Sequence, residues 1–415
     1  IKSVLKNKSS IKVFPIMLSV LCLASCTKTG DNKSFYLAKN LDVNSKVEVT
    51  NTHVEKVNDF LTDSIKSVTD INNNDNLVFS PLSYYISLAS IYGLTYSNSS
   101  LDKFLSKTNL SSKEEIKDYV RTIMTNSNME QKYDENNIAT KERISNLMVG
   151  NIDKLSKDSL ASCTDDFFTS IINNDKNMKK NVDKWVKEET NGLLDGLNLS
   201  LEDNDVGFVS ALYFDSLYGM QLSEEEGLFK NNRCTIMSGD SYTNYHISTT
   251  DYEAVSFDLS SIENRGNYKI HFVKMLNNNS IKNLLSKYSF TELFNGNNKE
   301  INREKYSIKF PKNIQNSEID LIKLASAQEI PFVNFEFSKD KTNLPSHSIV
   351  NFKQNNKIMF TDTGIRCSST SAYYSVPTEN PNFEFILDND FAYTIEDPNG
   401  YIIYYGVTTS VNQNF

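Results

Sequence analysis

The chain has 415 residues, 39% of them hydrophobic and 23% charged, the balance of a soluble globular protein. Formal net charge is −9; residues 1–25 carry Lys2, Lys6, Lys8 and Lys12 and no acid, so the rest stands at −9 − 4 = −13, which argues against nucleic acid or an anionic membrane surface as partner. The five cysteines, Cys22, Cys26, Cys163, Cys234 and Cys367, are scattered without a CxxC pair and signal neither a disulfide framework nor a zinc site.

Residues 1–12 are basic and polar, and 13–24 form an apolar run too short to span a bilayer comfortably, the layout of a secretory signal over 1–25. The run ends Leu23-Ala24-Ser25-Cys26, which resembles the bacterial lipobox; Cys22, behind the bulky Leu21, does not fit it. The resemblance implies acylation of Cys26 and a cell-envelope lipoprotein, anchored in a membrane and facing the surface or the periplasm. Each buried acyl CH₂ adds about 0.8 kcal/mol, so several chains on one cysteine make a stable anchor. Residues 26–50, polar and rich in Asn, Lys and Thr, read as a tether, which leaves 51–415 as the folded domain.

Apolar residues at three- and four-residue spacing predict an amphipathic helix over 54–68. Residues 77–79 form a short buried strand, after which Ser80 can cap a helix with Pro81 at its first position. That helix, to about Tyr92, is apolar nearly all round and belongs in the core. Helices follow at 99–105 and 111–125, a mobile surface loop at 126–140, a strand at 144–149 and a helix at 159–168. From Lys179 a helix presents Val182, Trp185 and Val186 on one face and can end at Gly192. Strands fit 206–213, 254–259, 268–276 and 306–310, helices fit 280–288 and 319–329, and a hairpin turning at Asp397-Pro398-Asn399-Gly400 closes the chain. Helices dominate the first half and strands the second, an α+β order.

Residues 360–385 interrupt this pattern. A strand-like segment ends at Phe360 and the next begins at Phe391, with neither a helical period nor a tight-turn dipeptide between, a long connection for a compact domain. The first half is small and β-tolerant (Ile365, Cys367, Ser368, Ser369, Thr370, Ser371, Ala372), whereas Pro377 and Pro381 keep the second half out of a central strand. One half can join a sheet and the other must stay outside.

Four segments carry a resemblance to the serpin family. Asn76–Ser83 resembles "NxxxSPxS"; 181–192 resembles "INxWVxxxTxGKI", with Trp185, Thr190 and Gly192 in place; 208–214 resembles "LVNAIYF", with Ser210 for the asparagine; and 385–406 matches "FxADHPFxFxIxxxxxxxxLFxGxV" at Phe385, Asp388, Phe391 and Gly406. Asp362-Thr363-Gly364 then takes the place of the hinge "EEG". The resemblance covers about residues 53–410. It implies a serpin fold with three β-sheets, about nine helices and an exposed reactive-centre loop. Its function would be inhibition of a serine protease, or of a papain-like cysteine protease. A protease cleaves the loop, whose first half then inserts as a strand into the central sheet while the bound enzyme is distorted. The alternative is a non-inhibitory serpin acting as a cell-surface binding protein. On either reading the chain is a monomer, needs no cofactor or metal, and is not an enzyme.

In an inserted strand alternate side chains face the core. Counted from the hinge residues Asp362 and Gly364, the inward positions are Ile365, Cys367, Ser369 and Ser371, none charged and three of them small; Arg366 falls on the solvent face. The resemblance assigns sheet opening to Ser80, Pro81, Ser83, Ser210 and Gln354, with Gln354 where a histidine is usual and Tyr218 where a tryptophan is. It places the reactive bond fourteen positions after Gly364, at Thr378–Glu379, with Glu379 as the neighbouring possibility for the attacked residue. Val376-Pro377-Thr378 suits the shallow pocket of an elastase-like protease. Ile365→Arg is expected to block insertion and spare the uncut fold, because that side chain should lie near the surface. The histidines His53, His246, His271 and His347 form no HExxH, and Gly239-Asp240-Ser241 lacks the glycines of a protease nucleophile motif.

Overall fold

The computed structural model describes residues 35–38, 48–73, 75–96, 99–132, 138–259, 267–295, 304–330, 332, 335, 337, 348–365 and 380–414. Among them are nine α-helices. α1 (Asn51–Ile71) buries Val57, Phe60, Leu61, Ile65 and Val68 on one stripe, and Thr50 caps it by accepting from His53 N–H. α2 (Pro81–Leu94) is buried along its whole length, with Ser80 accepting from Ser83 N–H and Pro81 in the first turn. α3 (Ser99–Thr108), α4 (Lys113–Ser127) and α5 (Lys157–Asp165) follow. α6 (Met178–Glu189) buries Val182, Trp185 and Val186, and Gly192, at a φ of 73°, takes the left-handed position just beyond it. α7 (Ile281–Lys287), α8 (Phe290–Phe294) and α9 (Leu321–Ala327) lie in the second half.

The strands, in chain order, are β1 (Phe35–Tyr36), β2 (Leu77–Phe79), β3 (Met129–Lys132), β4 (Ile138–Gly150), β5 (Thr169–Asn173), β6 (Asp205–Leu217), β7 (Ser223–Phe229), β8 (Asn232–Ser248), β9 (Tyr252–Asp258), β10 (Lys269–Met275), β11 (Lys305–Pro311), β12 (Asn313–Asp320), β13 (Ser348–Phe360), β14 (Gly364–Ile365), β15 (Phe383–Ile386), β16 (Phe391–Glu396) and β17 (Ile402–Thr408). A central sheet runs β1-β5-β4-β6-β14-β13-β12, with β3 on β4. A second assembly runs β15-β11-β8-β9-β10-β16-β17-β2, with β7 on β8. It is two sheets sharing one strand: Ile236–Tyr242 of β8 pairs with β11, and Thr243–Ser248 pairs with β9. The fold is therefore α+β with three sheets.

Two stretches differ from expectation. The described residues of 126–140 hold the end of α4, β3 and the start of β4; Thr140 and Glu142 are polar yet buried, because Thr140 hydrogen-bonds Ser216 and Glu142 accepts from Tyr268. Within the stretch read as a tether, Phe35 and Tyr36 pair antiparallel with Ile172 and Ile171.

The central sheet separates two apolar layers. Phe208, Leu212 and Phe214 of β6 face the main core, which also holds α2. Val209 and Ala211 point the other way, into a smaller core built with Val182, Trp185 and Val186 of α6. Alternation along β6 thus fixes which face of the central sheet meets α2.

Candidate functional site

Ser210 lies on β6 in the alternation that faces α2, and it meets the start of that helix. Its hydroxyl hydrogen-bonds the Ser83 hydroxyl and also donates to the Ser83 carbonyl at 3.2 Å. On the neighbouring β13, Gln354 grips the residue that caps α2: Ser80 N–H donates to Gln354 Oε1 at 2.9 Å, and Gln354 Nε2 donates to Ser80 O at 2.9 Å. Ser80, Ser83, Ser210 and Gln354 are all buried. An amide is suited to this place, since it offers one donor and one acceptor to a backbone that needs both. Pro81 holds the first turn of α2 at the same point.

Sequence reasoning missed four further buried or partly buried polar side chains around α2 and β2. Asn356 Nδ2 donates to Gln354 Oε1 at 2.8 Å and to Val78 O at 3.1 Å, Val78 N–H donates to Ser317 Oγ at 2.9 Å, and Ser87 Oγ donates to Asn146 Oδ1 at 2.8 Å. The signal was present along β13, where Phe352, Gln354, Asn356, Ile358 and Phe360 share one buried face and two amides replace the apolar residues the alternation calls for.

The pairing of β6 with β13 is parallel and runs from Asp205↔Ser348 to Ser210↔Gln354. Further up the same two strands, β14 lies between them and antiparallel to both: Gly364 faces Leu217, and Ile365 faces Ser216 on one side and Phe360 on the other. Tyr218 N–H donates to Thr363 O at 3.2 Å, and the Tyr218 ring packs edge-on against Phe310. Thr361 Oγ1 donates to Gly364 O at 2.8 Å and completes the bend around Asp362. Gly364 and Ile365 thus enter the sheet as a strand. Ile365 is 1% exposed, so its side chain is not near the surface of the uncut form, contrary to expectation. Cys367, Ser369, Ser371, Thr378 and Glu379 lie outside the described residues, as do Cys26 and His347.

Beneath the upper half of β6, Phe214 packs on Tyr268, whose hydroxyl donates to Glu142 Oε2 at 2.7 Å. Burial holds the Glu142 carboxyl well above its ordinary range, and burial also pushes Asp397 up to about 6. The competing motifs have structural partners. Asp240 of Gly239-Asp240-Ser241 lies in the β8–β11 pairing and meets Lys305 at 3.2 Å. His53 Nδ1 hydrogen-bonds the Tyr401 hydroxyl, His246 meets Glu253, and His271 lies 3.6 Å from Glu396. Among the described residues no group of three His, Cys, Asp or Glu side chains is placed to hold a metal ion.

In the central sheet two parallel strands pair over half their length, and the two-residue antiparallel β14 lies between the other halves. The profile of the serpin (serine protease inhibitor) family matches residues 55–411, and the chain belongs to that family. Among solved structures, a thermophilic serpin, tengpin, in its native state is 20% identical, with 91% of this chain and 98% of that one covered at a TM-score of 0.73. Serpin48 of the insect Tenebrio molitor is 16% identical, with 88% and 100% covered at 0.70. Human thyroxine-binding globulin complexed with thyroxine is 14% identical, with 87% and 100% covered at 0.69. At these identities the likeness shows the fold. No curated protein sequence matches the chain. Serpins are generally protease inhibitors rather than enzymes, and the thyroxine-binding globulin structure holds a small molecule, thyroxine.

Proposed function

We propose that this serpin inhibits a serine protease by loop cleavage and strand insertion, with an elastase-like enzyme as target. The observation that carries the reading is β14. Extended into the loop, its register would put Cys367 between Phe214 and Ile358, Ser369 between Leu212 and Asn356, and Ser371 between Ser210 and Gln354. Inward positions would then carry small or soft side chains, and the Ser371 hydroxyl would arrive where Ser210 and Gln354 already offer hydrogen bonds. Arg366 would fall on the opposite face, beside Asp215. Insertion divides into two stages. Residues 366–370 would enter above the Ser210↔Gln354 pair, and from Ser371 onward each residue must part a pair of the β6–β13 ladder.

The reactive bond is assigned to Thr378–Glu379, on Pro377 and the small β-branched Thr378. A protein ester formed on Thr378 by the protease serine would survive once insertion carries the enzyme away and distorts its active site. Elastase, trypsin and a glutamate-specific protease, each incubated with the protein, distinguish the assignments. Elastase should give a complex that survives denaturing electrophoresis and a fragment beginning at Glu379. A stable trypsin complex would overturn the assignment. Cleavage by elastase without any complex would favour the non-inhibitory, surface-binding reading.

The lipobox-like 23–26 supports anchoring through acylated Cys26 in the cell envelope. Metabolic palmitate should label the wild type and not Cys26→Ala; equal labelling of both, or of neither, would remove the anchor from the account.

A further inference from the structure

The N-terminal strand is not used by loop insertion. β1 closes the outer edge of the central sheet, and Ala38 N–H donates to Ser170 Oγ at 3.1 Å just beyond it. Tyr36 packs on the main core. Phe35 stands opposite Ile172, which belongs to the layer under α6. Alternation therefore sends Phe35 and Leu37 to the face that α6 covers. There they remain 38% and 62% exposed, two large apolar side chains turned outward.

The same face carries lysine. Residues 176–187 hold Lys176, Lys179, Lys180, Lys184 and Lys187 against the single acid Asp183, and all five lysines are exposed because Val182, Trp185 and Val186 take the buried side of α6. Three of these lysines are paired, Lys179 with Asp183 at 2.8 Å, Lys184 with Glu188 at 3.7 Å and Lys187 with Asp195 at 3.8 Å, and Glu189 meets Arg143 at 2.8 Å, so the net positive charge of the face is small.

We propose that this face, Phe35 and Leu37 together with the outer side of α6, rests on a phospholipid membrane. The inference rests on the anchoring of Cys26. Nine positions separate Cys26 from Phe35, a span of at most about 30 Å even fully extended. A folded domain of this length is about 50 Å across. The β1 edge must therefore stay close to the bilayer that holds the anchor, and the outward apolar pair sits where the chain leaves it. Aromatic and aliphatic side chains flanked by lysine suit the headgroup boundary. The overall charge of −9 opposes approach to an anionic surface, so docking depends on the high local concentration that the anchor imposes. With this face down, α6 lies between the bilayer and the central sheet, and the sheet face that meets α2 points away from the lipid.

The test couples residues 26–415, with Cys234 and Cys367 changed to serine, through Cys26 to a maleimide lipid in phosphatidylcholine–phosphatidylglycerol vesicles, so that acylation in cells is not required. Leu37→Trp is introduced in a Trp185→Phe background, with Leu228→Trp on β7 as reference. Brominated lipid should remove at least about half of the emission from position 37 and little from position 228. Equal quenching at both positions, or none at 37, would overturn the proposal. Because Trp185→Phe touches a core, hydrogen exchange of the chain with its own tryptophan provides the second readout. Vesicles should slow exchange in 178–189, and Phe35→Ser with Leu37→Ser should abolish that slowing; unchanged exchange, or slowing that survives the double substitution, would contradict it. Slowing that appears equally without vesicles at high protein concentration would assign the face to a second copy of the chain instead. Failure of palmitate labelling at Cys26 would remove the natural anchor and leave this measurement readable.

Discussion

Ile365→Arg separates the cost of seating the hinge from the cost of inserting the loop. Ile365 is 1% exposed between Ser216 and Phe360. In the uncut protein the variant has a way out, because β14 is only two residues long and can withdraw. Withdrawal forfeits the burial of one isoleucine, about 2 kcal/mol, and two or so backbone hydrogen bonds at about 1 kcal/mol each. The native form therefore loses about 4 kcal/mol at most, a fall in Tm of about 5 °C for a domain of this size. During inhibition no such exit exists. Position 365 is the first inward position, and 366–371 cannot follow unless it enters. A guanidinium there lacks a partner on either neighbouring position, and leaving a charge buried and unpaired costs about 3–5 kcal/mol. If most of that falls on the insertion step, insertion slows by about a hundredfold or more, since each 1.36 kcal/mol is tenfold. Hydrolysis of the acyl-enzyme then wins, and the variant becomes a substrate. The assay is titration of elastase with complex and cleaved product resolved on a denaturing gel, alongside thermal unfolding of the uncut form. Ile365→Ser should lose the burial and keep the complex. A variant with arginine at 365 that traps elastase mole for mole, or an unchanged Tm, would refute the reasoning.

Gln354→Ala removes both bonds to the Ser80 backbone and one acceptor of Asn356. It should cost about 2–4 kcal/mol by calorimetry and speed spontaneous conversion of the uncut protein to an inserted form, seen as loss of inhibition on storage; unchanged stability would show that the bridge carries no weight. His53 gives the protein an acid limit. Burial, with Lys56 nearby, lowers it to about 4 from 6.5, so the folded state binds its proton less readily than the unfolded state. The stability it supports is complete above pH 6.5 and is lost as pH falls through about 4, by about 2 kcal/mol, and His53→Phe, which can keep the stack on Tyr119, should flatten the urea-midpoint profile over that interval.

The elements that read well from sequence are those whose local chemistry is self-sufficient. Ser80-Pro81 announces α2, the Val182–Trp185–Val186 stripe announces α6, and the Asp397–Gly400 turn announces the β16–β17 hairpin. The elements that did not are strands whose polar residues are satisfied by distant partners. β13 was legible only over 357–360, because Gln354 and Asn356 occupy its inward positions for the sake of Ser80 and Val78. β8 shows no sustained period because it serves two sheets, and β4 begins with buried Thr140 and Glu142. At the site, the family resemblance picked out Ser80, Ser83, Ser210 and Gln354, which do converge; the seating of Ile365 was not legible, since it depends on β6 and β13 ending their own pairing at Ser210↔Gln354. The strand at Phe35–Tyr36 depends likewise on β5, a partner 137 positions away in the Phe35↔Ile172 pair.

The central claim is that the loop becomes a strand between β6 and β13, and hydrogen exchange measures this most directly. The protein is cleaved cleanly at 378–379, and exchange is followed by mass spectrometry in peptides covering 205–217 and 348–360, before and after. Insertion gives the backbone of 211–215 and 355–359 new partners on the gap side and replaces the β6–β13 ladder with two antiparallel ones. Exchange in both segments should slow markedly on cleavage, while segments elsewhere, such as 402–408 of β17, change little. Unchanged or faster exchange at 205–217 and 348–360 after complete cleavage would contradict the account.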